Sequence, residues 1–285
     1  MPVWKCGRFE LALGVKTHVM GIVNATPDSF SGDGVLPSQA LKRARQMISD
    51  GADILDIGGE STRPGAAKIS LEEELSRVIP LIQTMASETK IPISIDTTKA
   101  EVARQALAAG ASIINDISGA TFDDAMLKVM SESDCGVVLM HLRGTPQTMG
   151  WSRKEERGNG KQETGDVIAE VIAFWRERIR VARENEIADE RICLDAGFGF
   201  GKSAEENLEI LRRGRELRDF GFPNLSGTSR KSTIGKVLGE SEISQRIWGT
   251  AATVAVAIQN GADIVRVHDV KEMAQVVRMT DAIVR

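Results

Sequence analysis

Asp96, Asn115 and Asp195 each stand at or near the end of a short apolar run: Pro92-Ile-Ser-Ile, Ser112-Ile-Ile and Arg191-Ile-Cys-Leu. Two carboxylates and an amide accept hydrogen bonds, and the amide also donates. Such a set suits a flat, nitrogen-rich heterocycle whose ring N–H and amino groups donate, with Lys231 suited to a ring carbonyl of the same ligand. A second set, Asn24, Thr62, Arg63, Arg266 and His268, is cationic and amide-like. Arg266 and His268 are two apart, so on a strand they share a side. An arginine pair with a histidine reads as a phosphate or pyrophosphate clamp. Ser229-Arg-Lys-Ser232 precedes a helix and offers backbone N–H groups to an anion. Asp56 breaks the apolar run of Ile54, Leu55 and Ile57, where a carboxylate is costly unless paired, and reads as a buried structural acid. His18 reads as structural, and His141 is open between a structural hydrogen bond and a role at the site. Gly197-Phe-Gly-Phe-Gly201-Lys202 lacks P-loop spacing. It gives Phe200 the backbone freedom to present a ring. No side-chain nucleophile is evident.

These polar residues sit at the ends of strands in a repeating plan. Strands are expected at His18–Asn24, 53–58, Pro92–Asp96, Ser112–Ser118, Gly136–His141, Arg191–Asp195, Leu225–Ser229 and Gly261–His268. Between them come helical patterns, including Leu36–Asp50, Asp123–Glu132, Asp166–Asn185, Ser244–Asn260 and Lys271–Val284. Ser70-Leu-Glu-Glu73 and Ser203-Ala-Glu-Glu206 read as capping boxes. Gly51-Ala-Asp, Gly110-Ala-Ser and Gly261-Ala-Asp repeat the helix-to-strand junction. Alternating strands and helices imply a parallel sheet. Eight units without a linker favour an α/β fold of one class, a single (β/α)8 TIM barrel over residues 1–285. A short N-terminal hairpin within residues 1–16 closes its bottom. The C-terminal ends of barrel strands form one rim, where active sites are built. No Gly-x-Gly-x-x-Gly follows the first strand, which disfavours a Rossmann fold.

Composition narrows the function classes. The 285 residues are 42% hydrophobic and 27% charged, with a net charge of −4 and no long block of one sign. That gives no electrostatic case for nucleic acid or an anionic membrane. Cys6, Cys135 and Cys193 are odd in number and far apart, which supports neither a disulfide framework nor a zinc knuckle. Reduced thiols and an N-terminus without an apolar h-region point to a cytoplasmic protein. The uncharged stretch 247–262 is shorter than the ~20 apolar residues of a membrane helix. The charged run 152–163 reads as a solvated loop.

Longer strings join these residues. Gly21-Ile-Val-Asn-Ala-Thr-Pro-Asp-Ser-Phe30, Gly58-Gly-Glu-Ser-Thr-Arg-Pro-Gly65, Met140-His-Leu-Arg-Gly-Thr-Pro146, Asp195-Ala-Gly-Phe-Gly-Phe-Gly-Lys202, Ser229-Arg-Lys-Ser232 and Arg266-Val-His-Asp269 together resemble the dihydropteroate synthases. The resemblance spans nearly the whole chain, in order. It implies a folate-pathway transferase that joins 6-hydroxymethyl-7,8-dihydropterin pyrophosphate to 4-aminobenzoate with help from Mg²⁺. It assigns Asp96, Asn115, Asp195 and Lys231 to the pterin, and Asn24 to Mg²⁺ and the pyrophosphate. Thr62, Arg63, Arg266 and His268 go to the pyrophosphate or the adjoining pterin edge. Phe30, Pro64, Phe200 and Ser232 go to the aminobenzoate pocket, where sulfonamides compete. It also implies a homodimer, with the last helices as its interface. Ala25, Ser31-Gly-Asp-Gly34, Ala100 and Ala196 depart from the usual strings, the last two replacing prolines. A corrinoid methyl-transfer relative and a non-catalytic pterin binder are the competing classes, and neither needs the full clamp.

Overall fold

The structure, a computed structural model, describes residues 2–25, 36–62, 65–148, 165–240 and 242–285. Two short strands, β1 (Val3–Cys6) and β2 (Phe9–Ala12), form an antiparallel hairpin. Eight strands follow: β3 (His18–Asn24), β4 (Ile54–Gly58), β5 (Ile93–Asp96), β6 (Ile113–Asp116), β7 (Gly136–Met140), β8 (Ile192–Asp195), β9 (Asn224–Ser226) and β10 (Ile264–Val267). They pair in parallel, each with the next, and β10 closes on β3. The expected (β/α)8 barrel is thus the observed fold, and the Rossmann alternative is excluded.

The helices are α1 (Leu36–Ser49), α2 (Leu71–Glu88), α3 (Ala100–Ala108), α4 (Met126–Ser131), α5 (Val167–Glu184), α6 (Ala204–Arg212), α7 (Gly214–Arg218), α8 (Ser232–Leu238), α9 (Ile247–Gln259) and α10 (Val270–Val284). Their apolar faces pack on the outward-pointing residues of the strands, such as Leu55, Ile57, Ile95 and Ile114. Of the two expected capping boxes, the one at α6 is complete, with Glu206 Oε2 accepting from Ser203 N at 2.7 Å. At α2 only half forms. Ser70 Oγ accepts from Glu73 N at 3.1 Å, while the Glu73 carboxylate turns outward to pair with Arg77.

Several elements are shorter than the pattern predicts, because polar side chains claim the backbone at their ends. β6 stops at Asp116, whose Oδ1 accepts from both Ser118 N and Ser118 Oγ at 2.7 Å. The chain turns there instead of running straight to Ser118. α4 begins after Asp123, which accepts from Ala125 N at 3.0 Å and from Ala100 N at 2.8 Å. The alanine at 100 is therefore used: a proline would have no N–H to give Asp123.

The barrel interior is layered, because side chains on one face of a strand recur every second residue. Met20, Ile54, Ile113, Val138, Cys193, Leu225 and Ile264 form a buried apolar layer with Trp4, Cys6 and Leu13 of the hairpin region. The hairpin thus seats against the barrel's N-terminal end, as expected, and Trp4 Nε1 donates to Arg191 O at 2.9 Å. His18 joins in through Nε2, 2.9 Å from Ala12 O, a structural role. One step further along the strands, two residues on, the layer becomes polar. Ile54 is followed by Asp56, Ser94 by Asp96, Ile113 by Asn115, Cys193 by Asp195 and Ile264 by Arg266.

Candidate active site at the C-terminal rim

The polar layer converges on Arg266. Its Nε donates to Asp56 Oδ2 at 2.6 Å, and its Nη2 donates to Asp96 Oδ2 at 2.5 Å. Asn115 Nδ2 donates to the same Asp56 oxygen at 3.2 Å. Asp56 is 0% exposed, so its charge depends on these partners. It is the buried acid the sequence suggested, and its partner is the arginine of the expected clamp. Arg266 therefore lies among the acceptors expected to bind the ring. Two carboxylates face one guanidinium, and burial wins over Arg266 at Asp96, whose pKa is pushed up to about 7. Burial also raises Asp195, although Gly197 N donates to its Oδ1 at 2.7 Å.

Lys231, the remaining residue expected at the ring, joins this layer. Its Nζ stands 3.7 Å from the centre of the Phe200 ring, a cation–π contact. Burial, with Arg266 nearby, lowers the Lys231 ammonium to about 8, and Asp195 and Asp96 oppose that shift. Phe200 is buried with Ile117 and Met140. The structure thus sets it against Lys231, at the wall of the polar layer.

The glycine loop after β8 is built by backbone conformation. Gly197 has φ +66°, and a Cβ there would lie 1.9 Å from His141 O. Lys202 then clasps the loop, its Nζ donating to Gly197 O at 2.9 Å and His141 O at 3.2 Å. Burial and Arg143 pull its pKa down to about 7. His141 is buried edge-on to Phe174, 5.2 Å between ring centres, and is lowered to about 3 by burial and then by Lys202. It is a neutral wall residue.

The residues expected on the anion side come from strand ends, a turn and one helix start. Asn24 ends β3 half-buried, and Thr62 lies half-buried in the turn after β4. His268 follows β10. Its backbone N–H donates to Ser229 Oγ at 3.1 Å, and Nδ1 lies 3.0 Å from the same oxygen. Burial drives the His268 pKa strongly down, with Arg230, Arg266 and Lys231 adding to the shift. The imidazole is therefore neutral, a hydrogen-bonding group and not a cation. Ser232 is the exposed first residue of α8. The preceding Arg230 has φ +60° and is held by Asp269, with Nε to Oδ2 at 2.9 Å. A cavity of about 740 Å³ opens beside Asp96 and Thr62, between the turns after β4, β5 and β6.

The family model for pterin binding enzymes matches residues 20–268 of this chain. A Synechocystis sp. dihydropteroate synthase is 51% identical over 286 residues, covering 100% of this chain and 96% of the relative. A solved Xanthomonas albilineans dihydropteroate synthase with 4-aminobenzoic acid superposes with a TM-score of 0.90 at 40% identity, covering 99% of this chain and 98% of that one. A Yersinia pestis dihydropteroate synthase with a sulfonamide drug complex gives 0.90 at 38%, with the same coverage. The chain belongs to the dihydropteroate synthase family of pterin-binding enzymes.

Within that family, the expected pterin residues Asp96, Asn115, Asp195 and Lys231 all face one layer of this barrel, joined by Arg266 and Asp56. Phe30, Arg63 and Pro64 lie outside the described residues, as does the altered loop Ser31-Gly-Asp-Gly34. The sequence missed Lys202, Lys99 and Glu74 as parts of the rim's framework. Lys202 had a signal, the glycines before it. Glu74 had none, since it reads as an ordinary acid in the first turn of α2.

Proposed function

We propose that the rim condenses 6-hydroxymethyl-7,8-dihydropterin pyrophosphate with 4-aminobenzoate, giving 7,8-dihydropteroate and pyrophosphate. The observation that carries it is the inward layer of Asp96, Asn115, Asp195 and Lys231 around Arg266, next to the donor groups of the strand ends. The carboxylates and the amide accept from the pterin's ring N–H and amino groups. Lys231 faces the ring carbonyl, and Phe200 flanks it.

The bond that breaks joins the exocyclic methylene carbon to the pyrophosphate oxygen. The bond that forms joins that carbon to the aromatic amine nitrogen, which then loses a proton. The protein's part is alignment and neutralisation of the leaving charge. Thr62, Arg63, His268, Asn24 and the backbone N–H groups leading into α8 serve the pyrophosphate. Phe30, Pro64, Phe200 and Ser232 serve 4-aminobenzoate, where sulfonamides compete. The three cysteines are buried and free, and the pKa of Cys6 and Cys193 is raised by burial, so they are not nucleophiles.

Mg²⁺ fits this arrangement in one way. Among the described residues no group of three or more His, Cys, Asp or Glu side chains gathers to hold an ion. Asn24 supplies one hard oxygen at the end of β3, the sparse protein ligation Mg²⁺ uses when substrate phosphates complete its shell. When bound, the ion neutralises charge on the departing pyrophosphate.

The same reading makes the protein a homodimer with small-molecule substrates, in the cytoplasm, without nucleic-acid or membrane partners. Support for the dimer is the apolar surface on the last helices, where Trp248 is 81%, Ile283 70%, Met279 64% and Val237 58% exposed. No helix of the described residues is long and apolar enough to cross a membrane.

The test is pyrophosphate release from the pterin pyrophosphate with Mg²⁺ or EDTA, with and without 4-aminobenzoate. Release that depends on both Mg²⁺ and the amine, and yields dihydropteroate, is the expected result. Pterin binding without condensation refutes the reading and makes the barrel a binding module or methyl-transfer relative.

A further inference from the structure

The turn after β4 carries Thr62, and three contacts fix it against α2 and the turn after β5. Arg77 Nη1 donates to Gly59 O at 2.8 Å. Gly59 packs so closely that a Cβ there would stand 2.8 Å from Val78 Cγ1 and 2.9 Å from Glu74 Cγ. The third contact is ionic. Lys99, three residues beyond Asp96, pairs with both Glu60 and Glu74, the latter at 2.5 Å. Glu74 is only 1% exposed, and its other oxygen accepts from Thr97 Oγ1 at 2.7 Å.

One ammonium and two carboxylates therefore join three segments: α2, the turn that follows Asp96 and the turn that leads to Thr62. All three side chains line the cavity between those turns. A buried ion pair adds little net stability over apolar packing, and its best-attested use is to specify a geometry. The geometry at stake here is the spacing between a residue that holds the ring and a residue that meets the leaving group. The Lys99 ammonium is already engaged by two carboxylates, which disfavours a direct role as an anion ligand.

We propose that Lys99, with Glu60 and Glu74, is a positioning residue for the reaction, a latch that holds the Thr62 turn in register with Asp96. It rests on the condensation proposed above. Asp96 fixes the pterin, and the latch places the leaving-group turn at the distance the departing bond requires.

Steady-state kinetics of the full chain test this, using wild type, Lys99→Met, Lys99→Arg and Glu60→Gln. Binding of 6-hydroxymethylpterin, which lacks the pyrophosphate, is measured alongside by calorimetry. Misplacement of a positioning element by about 1 Å costs on the order of 10²-fold, so Lys99→Met and Glu60→Gln are expected to lower kcat by at least about tenfold. Their affinity for hydroxymethylpterin stays at the wild-type value, and Lys99→Arg recovers most of the rate. Glu60→Gln leaves the Glu74–Lys99–Thr97 contacts intact, so it decides the matter if Lys99→Met fails to fold. Unchanged kcat in Glu60→Gln, or a parallel loss of hydroxymethylpterin affinity, overturns the latch alone. A wild-type protein that makes no dihydropteroate overturns the condensation, and the latch with it.

Discussion

If Asp96 accepts from the pterin as proposed, binding is expected to depend on pH, and the size of the effect follows from its surroundings. Burial, with Asp56 adding to it and Arg266 opposing it, raises its carboxyl to about 7, so the empty site holds a proton over much of the acidic range. A ring that donates N–H groups needs an acceptor, so binding favours the carboxylate and expels that proton. Affinity therefore rises with pH and levels off above 7. A group with a pKa of about 7 is roughly 3% ionised at pH 5.5 and roughly 75% ionised at pH 7.5. The dissociation constant for 6-hydroxymethylpterin should thus fall about 25-fold across that interval, or about 2 kcal/mol. The window stays below the titration of Lys231, at about 8. Calorimetry at pH 6 in two buffers of different ionisation enthalpy should register release of close to one proton. In Asp96→Asn most of the pH slope should be lost. A flat wild-type affinity, or the same slope in wild type and Asp96→Asn, refutes the assignment of Asp96 as the ionising acceptor.

Replacing Arg266 with Met strands Asp56 and Asp96 without their cation, and breaking a buried pair costs about 3–5 kcal/mol. Urea denaturation at neutral pH should show that loss, with pterin binding abolished; a change below about 1 kcal/mol would mean the three-residue cluster is not as built here. Gly197→Ala forces a Cβ onto His141 O at φ +66°. The backbone must leave its left-handed conformation, so the melting temperature should drop and kcat/KM should fall as Phe200 and Lys231 shift; unchanged values would refute the role of that loop. Trp248→Asp places a charge on the most exposed of the apolar side chains on the last helices. Size-exclusion chromatography should show a shift from dimer to monomer, and an unmoved elution volume would place the interface elsewhere.

The rim positions were legible in the sequence because parallel strands all point the same way. An apolar run that ends on Asp96 or Asp195 delivers that residue to the same end of the barrel as every other run. The two-residue period even places Asp56 above Ile54 and Arg266 above Ile264. What could not be read is which of these residues meet. Arg266 and Asp56 are 210 positions apart, and their bond exists because β10 closes on β3, beside β4. Without that closure, the arginine reads as a free cation for phosphate. Charge state was equally hidden. His268 reads as cationic until Ser229 and the surrounding arginines are placed around it. The early ends of β6 and α4 were hidden too, since Asp116 and Asp123 bind backbone groups that periodicity does not register.

Closure of β10 on β3 also bears on how the chain is made. The barrel's seam joins the first of its strands to be synthesised with the last. Until Ile264–Val267 has left the ribosome, β3 and β9 each keep a bare edge, and the interior layer lacks Ile264. Such edges invite pairing with other chains. The hairpin of β1 and β2 is made before any barrel strand and sits under the apolar layer, against Ile54, Ile113 and Val138. Arg266 arrives on that final strand. The charges of Asp56 and Asp96 therefore meet their cation in the same late event that seals the sheet, so the polar layer and the sealed wall come into being together.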